Sequence, residues 1–230
     1  MYINNILLIL ISVFRIQKAM NSTEIKCFQN SEIFSSNLYV LSSNNWNILI
    51  DPWFYDSEIV AYLKKIWGIE WILLTHWHGD HIREVDTYTK IFQNAKIFIH
   101  IEDEELLHDT YLNCSLLVWD KEIIIQSEVQ LIWEGEHTLN WLTFNLIHAP
   151  WHTDWCSMYY LKEEWILFSW DMILMDSIWT LSTPTWDIKK MQDSISKIKE
   201  FWFPLDTKVY PWHWEVMTCW DILKINPYLW

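Results

Sequence analysis

The chain has 230 residues, with 16 lysines and arginines against 30 aspartates and glutamates, and its formal net charge is -14. This length suits one domain with a sizeable core, and the acidic surface argues against nucleic acid as a partner. The cysteines, Cys27, Cys114, Cys156 and Cys219, form no C-x-x-C pair. We therefore expect neither a disulfide framework nor a cysteine-ligated zinc, and the cytoplasm is the predicted compartment.

The first 20 residues are predicted to be an extension in front of one domain that covers residues 21–230. Their apolar run, Ile6–Phe14, is too short to span a bilayer, so no stable membrane insertion is expected. Arg15 and Lys18 follow this run, whereas a secretory signal carries its positive charge before the apolar region. An upstream extension or a wrongly chosen start is favoured, and a degenerate signal or anchor is the alternative.

Hydrophobic patterning predicts strands alternating with helices in the first half of the chain. Short apolar runs between turn residues predict strands at Ile25–Phe28, Leu38–Leu41, Asn47–Ile50, Trp71–Leu74 and Lys96–Ile99. Apolar residues at helical spacing, or a short acidic run, predict helices at Asp56–Ile66, Val85–Gln93 and Glu102–Leu107.

The second half continues in the same style. Strands are predicted at Val129–Trp133, Leu142–Ile147, Ser157–Leu161, Trp165–Ser169 and Lys208–Tyr210. The clearest helix is Ile188–Glu200. Because strands dominate each half and helices lie between them, we predict an α+β fold in which two mixed sheets pack together with helices outside, a four-layer αββα sandwich.

The run T-H-W-H-G-D-H at positions 75–81 contains four potential metal ligands directly after a predicted strand: His76, His78, Asp80 and His81. Imidazole and carboxylate are ligands that hydrolytic zinc uses. His76 and His78 are two residues apart, so on an extended loop they point the same way. Asp80 and His81 follow, where a second ion has room.

Three further potential ligands also follow predicted strands: His152, Asp171 and His213. Ligands on loops at one edge of a strand scaffold are a common way to build a rigid site. Any one of these histidines alone would be read as structural, but the joint pattern favours metal ligation. The other histidines are predicted to be structural: His100, His108, His137 and His148. The alternative for His148 is a hydrogen bond that supports a metal ligand.

The chain contains 3 glycines and 19 tryptophans, whereas an average glycine share of about 7% predicts roughly 16 glycines. Trp46 and Trp53 stand in predicted turns, where glycine supplies a positive φ at no steric cost. Trp170 and Trp214 stand at tight positions beside candidate ligands, where a bulky indole is unexpected. Our hypothesis is that many of the tryptophans are glycines written with a reassigned stop codon. The alternative is a protein that is genuinely rich in tryptophan.

With these tryptophans read as glycine, the chain resembles the metallo-β-lactamase-fold superfamily, within the branch of single-domain glyoxalase II-like hydrolases (hydroxyacylglutathione hydrolase-like). The motifs are T-H-W-H-G-D-H at 75–81, H-A-P-W-H-T-D-W-C-S at 148–157, F-S-W-D at 168–171 and P-W-H-W at 211–214. The resemblance runs from Asn37 to Leu229, and it implies the αββα fold.

The resemblance also implies a role for each predicted ligand. His76, His78 and His152 would hold a first metal ion, and Asp80, His81 and His213 a second, with Asp171 bridging the two. Zinc is the implied metal, as two ions, with iron and manganese as alternatives. A hydroxide between the ions would attack a small carbonyl substrate, of which an acylglutathione thioester is the leading class, and Asp80 and Asp171 are the implied catalytic residues.

Several alternatives stay open at this point. A persulfide dioxygenase-like oxidoreductase would use one iron, and Cys156 is a weak hint of it. A lactonase or β-lactamase-like hydrolase would use the same ligands. Genuine tryptophans would crowd the site and favour a non-catalytic binding protein. The larger glyoxalase II enzymes carry a helical domain, but only 17 residues follow His213, so glutathione specificity is not implied. The sequence does not indicate an oligomeric state.

Overall fold

The computed structural model describes residues 23–30, 36–116, 121–140, 142–150, 153, 156–173, 175–177 and 187–229. The predicted extension at residues 1–20 lies outside the described residues. So does His152, one of the predicted metal ligands.

The first half of the described chain forms a six-stranded sheet whose spatial order follows the sequence. Its strands are β1 (Glu24–Asn30), β2 (Ser36–Ser42), β3 (Asn47–Ile50), β4 (Trp71–Leu73), β5 (Lys96–His100) and β6 (Val129–Ile132). β1, β2 and β3 pair antiparallel, whereas β3, β4, β5 and β6 pair parallel. The carboxyl ends of the four parallel strands therefore meet at one edge of the sheet.

The second half forms another six-stranded sheet, again ordered as in the sequence. Its strands are β7 (Gly135–Leu139), β8 (Leu142–His148), β9 (Ser157–Leu161), β10 (Ile166–Phe168), β11 (Lys208–Tyr210) and β12 (Met217–Thr218). Only β10 and β11 pair parallel. Because β9 runs against both β8 and β10, the carboxyl ends of β8, β10 and β11 share one edge.

Helices lie between the strands. They are α1 (Ser57–Lys65), α2 (Gly79–Ile82), α3 (Val85–Ile91), α4 (Ile188–Glu200) and α5 (Cys219–Ile225), with 3-10 helices at Ile101–His108 and Trp170–Met172. Side-chain oxygens of Asp56, Asp187 and Thr218 cap the first turns of α1, α4 and α5. Such caps satisfy backbone N–H groups that a helix leaves without an acceptor.

The two sheets pack face to face through aromatic side chains. Tyr39 of β2 contacts Phe168, Trp170 and Tyr210 from the second sheet. The hydroxyl of Tyr159 in β9 donates a hydrogen bond of 2.7 Å to the carbonyl of Leu74, just after β4. This interface forms the main core of the protein.

Helices cover the outer face of each sheet. Ile59 and Leu63 of α1 belong to the main core cluster, while Ile198 of α4 and Ile222 of α5 pack with Leu167 of β10 in a second cluster. Burial of one apolar face of each element explains this layering. The predicted αββα sandwich is confirmed.

Some elements differ from the prediction. β7, β12, α2 and α5 were not predicted, and the acidic stretch after β5 is a 3-10 helix. These elements are short, with only two residues in β12, so hydrophobic periodicity has little length over which to appear. Within the described chain, no helix combines the length and the apolar character that crossing a lipid bilayer requires.

Candidate metal centre

Polar residues that follow four strands gather at one edge of the sandwich. Asp51 follows β3, His76 follows β4, and His81 lies in α2 just beyond. From the second sheet, Asp171 follows β10 and His213 follows β11. The side chains of all five residues are buried.

The histidines of the 75–81 motif form a compact group. The ring centroids of His76 and His81 are 3.9 Å apart, and those of His76 and His78 are 4.8 Å apart. His78 keeps the extended backbone expected of this loop, with φ -60° and ψ 144°. The chain then turns into α2, which places His81 against His76 rather than farther along an extended loop.

Asp51 completes the group and was not predicted as a site residue. Ligand atoms of Asp51, His76 and His81 all lie within 4.8 Å of one another. An Oδ2 atom of Asp51 is 2.7 Å from Nδ1 of His81. A single carboxylate after a strand has no local signature, but its place at the shared edge of parallel strands is a signal that could have identified it.

Thr75 links His76 to this carboxylate, which itself contacts His81. Its backbone N–H and its hydroxyl donate to the two oxygens of Asp51, at 2.9 Å and 2.5 Å. The same hydroxyl lies 3.1 Å from Nδ1 of His76. Nδ1 of His76 contacts Thr75, and Nδ1 of His81 contacts Asp51. The Nε2 atoms of both rings are therefore oriented toward the metal centre.

Two more carboxylates lie beside His81. Its Nε2 atom is 3.3 Å from an Oδ2 atom of Asp171 and 4.0 Å from one of Asp80. Asp171 is buried, whereas the Asp80 side chain is 28% exposed. The structure thus brings Asp171, from the second sheet, onto the histidine group of the first.

The charges around His81 decide its protonation. Burial lowers the pKa of the imidazole, but the charge of Asp51 and the hydrogen bonds to Asp171 and Asp51 outweigh burial and raise this pKa to about 10. The surrounding carboxylates therefore favour the protonated imidazole. A metal ion that binds Nε2 would release this proton.

His213 lies beside the group. Its Nδ1 atom is 3.4 Å from the hydroxyl of Ser36, and the preceding Trp212 stacks on His81 with ring centroids 4.0 Å apart. Asn37 holds this loop: its amide nitrogen Nδ2 donates to the carbonyls of Pro211 and Trp214, at 3.0 Å and 2.9 Å.

Tryptophans crowd the same edge. Trp170 and Trp214 have φ angles of 48° and 70°, in the left-handed region that favours glycine. Among the described residues, the indole N–H groups of Trp53, Trp170 and Trp212 are buried with no hydrogen-bond acceptor, an arrangement that costs free energy. Trp46 and Trp53 are not in the left-handed region, so the prediction that their turns require positive φ was wrong.

The donor set fits a divalent metal ion. Buried imidazoles and carboxylates from both sheets converge within a few ångströms, and supporting hydrogen bonds orient the rings. Nitrogen and oxygen donors of this kind suit zinc, iron or manganese. Cys156 is not part of this set: it is buried, its sulfur contacts the Thr153 hydroxyl at 2.9 Å, and burial raises the pKa of its thiol.

Comparison with known proteins assigns the chain to a family. The model of the metallo-beta-lactamase superfamily matches residues 32–201. Hydroxyacylglutathione hydrolase of Francisella tularensis subsp. novicida (strain U112) is 26% identical over 76% of this chain and 61% of that protein. Beta-lactamase-like protein 2 homolog of Caenorhabditis elegans is 28% identical over 79% of this chain and 57% of that protein. The chain thus spans about three fifths of the length of these curated relatives.

Solved structures show the same fold. BLEG-1 B3 metallo-beta-lactamase superposes with a TM-score of 0.80 at 27% identity, over 90% of this chain and 99% of that one. TTHA1623, solved in a di-iron-bound form, gives a TM-score of 0.76 at 23% identity, over 89% of this chain and 100% of that one. Because the family model covers well over half of the sequence, the chain belongs to the metallo-beta-lactamase superfamily.

Proposed function

We propose that the chain is a metal-dependent hydrolase of a small carbonyl substrate, with an acylglutathione thioester as the leading substrate class. The observation that carries this proposal is the convergence of Asp51, His76 and His81 within 4.8 Å, with Asp171 of the other sheet 3.3 Å from His81. The relatives named hydroxyacylglutathione hydrolase support the thioester.

The proposed ligands fall into two sets. His76, His78 and His152 would hold one ion, and Asp80, His81 and His213 a second, with Asp171 between them. The ring contacts among His76, His78 and His81 and the carboxylates beside His81 support this assignment. Bound zinc would lower the pKa of water toward about 7 and polarise a carbonyl.

The residues around the ligands would keep them in place. Asp51 holds His81 through Nδ1, and Thr75 joins Asp51 to His76. Networks of this kind fix both the tautomer and the orientation of a metal-binding imidazole. We therefore assign Asp51 and Thr75 a positioning role, which leaves the Nε2 atoms of both histidines directed at the ions.

Zinc is the proposed metal, as two ions per chain. TTHA1623 was solved with two irons, which keeps iron as an alternative, with manganese as another. The proposed partner is a small molecule, because the net charge of -14 disfavours nucleic acid. The proposed location is the cytoplasm.

The first test combines metal counting with substrate turnover. Purified protein should contain about two zinc ions per chain and should hydrolyse an acylglutathione. Asp171→Ala should lose both metal affinity and turnover, because it removes the carboxylate shared by the two ligand sets. Asp176→Ala, at an exposed carboxylate nearby, should behave like the wild type. Wild-type activity in Asp171→Ala would remove the bridging assignment.

A second candidate is β-lactam or lactone hydrolysis. It is favoured by BLEG-1, a B3 metallo-beta-lactamase that shares 27% identity and nearly its whole length with this chain. Measuring kcat/KM on thioester, β-lactam and lactone substrates in parallel separates the candidates. A β-lactam or lactone preferred over every thioester would replace the leading substrate class.

The single-iron dioxygenase alternative has less support. Cys156 was its sequence hint, but this thiol is buried and hydrogen-bonded. One iron per chain, with oxygen uptake on a persulfide substrate, would favour it over the hydrolase.

A further inference from the structure

A second group of metal-binding side chains lies outside the centre described above. His100 is the last residue of β5 in the first sheet, and His148 is the last residue of β8 in the second. Glu102 follows His100 in the adjoining 3-10 helix. Their ligand atoms all lie within 4.8 Å of one another, and none of the three belongs to the first group.

The two imidazoles are held in register. Their rings stack with centroids 4.7 Å apart and an interplanar angle of 4°. His100 is buried at 5% exposure, and its Nδ1 atom accepts a long hydrogen bond of 3.4 Å from the Glu102 backbone N–H. The carbonyl of His148 accepts a hydrogen bond of 2.7 Å from Nζ of Lys197 in α4. The backbone of His148 is thus anchored to α4, while its ring is placed by stacking on His100.

We propose that His100, Glu102 and His148 bind one divalent transition-metal ion that links the two sheets. Two imidazoles and one carboxylate are a set that zinc uses, and nitrogen donors select such ions over magnesium and calcium. Zinc–nitrogen bonds of about 2.0–2.1 Å place two ligand nitrogens roughly 3.4 Å apart in a tetrahedral site. Because parallel rings direct their lone pairs along parallel planes, ion binding requires one imidazole to turn out of the stack, and the exposed Glu102 side chain to rotate toward it.

The surroundings suit ion binding at neutral pH. Burial lowers the pKa of His100, and the charge of Lys197 lowers it further, although Glu102 and Glu134 act in the opposite direction. This direction favours the neutral imidazole, the form that binds a metal ion. Lys197 is itself ion-paired with Glu134, so its charge is partly compensated beside the site. Glu102 is exposed, which leaves an open path for the ion.

The test counts zinc on the full-length protein. Chelator-treated protein is loaded with Zn²⁺ and desalted, and zinc per chain is measured by mass spectrometry. The loaded wild type should hold one ion more than the two proposed for the first centre, and His100→Gln and His148→Gln should each hold one ion fewer than the wild type. His108→Gln replaces an exposed histidine in the same 3-10 helix and should keep the wild-type count.

Glu102→Gln keeps the test decisive if a histidine variant fails to fold. This exposed side chain is replaced by one of nearly the same shape, and zinc affinity at the site should fall roughly tenfold or more in a competition titration. Unchanged zinc counts in His100→Gln and His148→Gln, together with unchanged zinc affinity in Glu102→Gln, would overturn the proposal. An equal loss of zinc in His108→Gln would also overturn it.

Discussion

At the scale of single residues, Asp51 connects Thr75 to His81 in the first centre. Its two oxygens accept hydrogen bonds from the backbone and hydroxyl of Thr75, and one of them contacts His81. Burial raises the pKa of this carboxyl, while the charge of His81 lowers it. Asp51 therefore stabilises the ligand arrangement through its partners, and its removal should affect the ions indirectly.

Asp51→Asn should weaken metal binding by about 10–100-fold, the usual effect of losing a hydrogen-bonded partner of a ligand. The amide cannot accept at both positions, so the His81 ring loses its fixed orientation. Metal affinity by competition with a chelating dye measures the effect. Asp176→Asn is the matched control, and equal affinities in the two variants would contradict the positioning role.

Trp67 bears directly on the hypothesis that many tryptophans are recoded glycines, which stays a prediction. It lies just after the C-cap of α1 with φ 74°. The N–H of Gly68 bonds to the carbonyl of Leu63 at 2.8 Å, and that of Trp67 to Lys64 at 3.4 Å. This is the hydrogen-bond pattern of a Schellman motif, whose left-handed position is usually glycine.

Trp67→Gly should raise the free energy of unfolding by about 1 kcal/mol, since it relieves a left-handed conformation while the side chain is 96% exposed. Trp202→Gly, which is 86% exposed and lies outside the left-handed region, should not stabilise the protein. Denaturant unfolding compares the two variants. The intact mass of the natural protein then tests recoding itself, because a mass that matches every printed tryptophan refutes it.

At the scale of elements, helix ends and strand ends explain which predictions succeeded. The spacing of Met191, Ile195 and Ile198 predicted the range 188–200 correctly, and the structure adds an N-cap from Asp187. Strand ends located most of the site, because parallel strands bring their carboxyl ends together. The contact between Asp51 and His81 depends on the tertiary packing of β3 against α2, so local periodicity carried no sign of it.

The cap of α4 should make stability depend on pH. Hydrogen bonds from the backbone of Lys190 and Lys189 lower the pKa of Asp187. Its contribution is therefore present above the unfolded-state pKa of about 3.9 and is lost as pH falls through the lower folded-state value. Asp187→Ala should lower the melting temperature at pH 7, and the gap should close in acid. Asp187→Asn, which still caps, should lose less at pH 7.

At the scale of the whole molecule, both proposed metal sites would join one sheet to the other. The first centre joins His81 to Asp171, and the second joins His100 to His148. The overall sandwich could be predicted from the order of apolar strands. The sequence could not predict that the ends of β5 and β8 lie next to each other. Their proximity depends on how the sheets stack through Tyr39, Phe168 and their neighbours.

Metal removal should therefore destabilise the entire sandwich. Restoring Zn²⁺ to chelator-treated protein at 100 times its dissociation constant should add about 2.7 kcal/mol to the stability, seen as a higher melting temperature. Asp171→Ala should show a smaller increase. An unchanged melting temperature after metal is added back would contradict the linkage between binding and folding.

The hydrogen bonds of Asn37 have a consequence for how the first centre is assembled. Asn37 lies in β2, yet its amide holds the loop that carries His213 at the far end of the sequence. The first sheet ends at Ile132 and the second begins at Gly135, so a nick at Trp133 would separate two fragments, each with only part of the donors. Neither fragment alone would contain the complete set of proposed ligands, so binding of both proposed ions would report the completion of assembly.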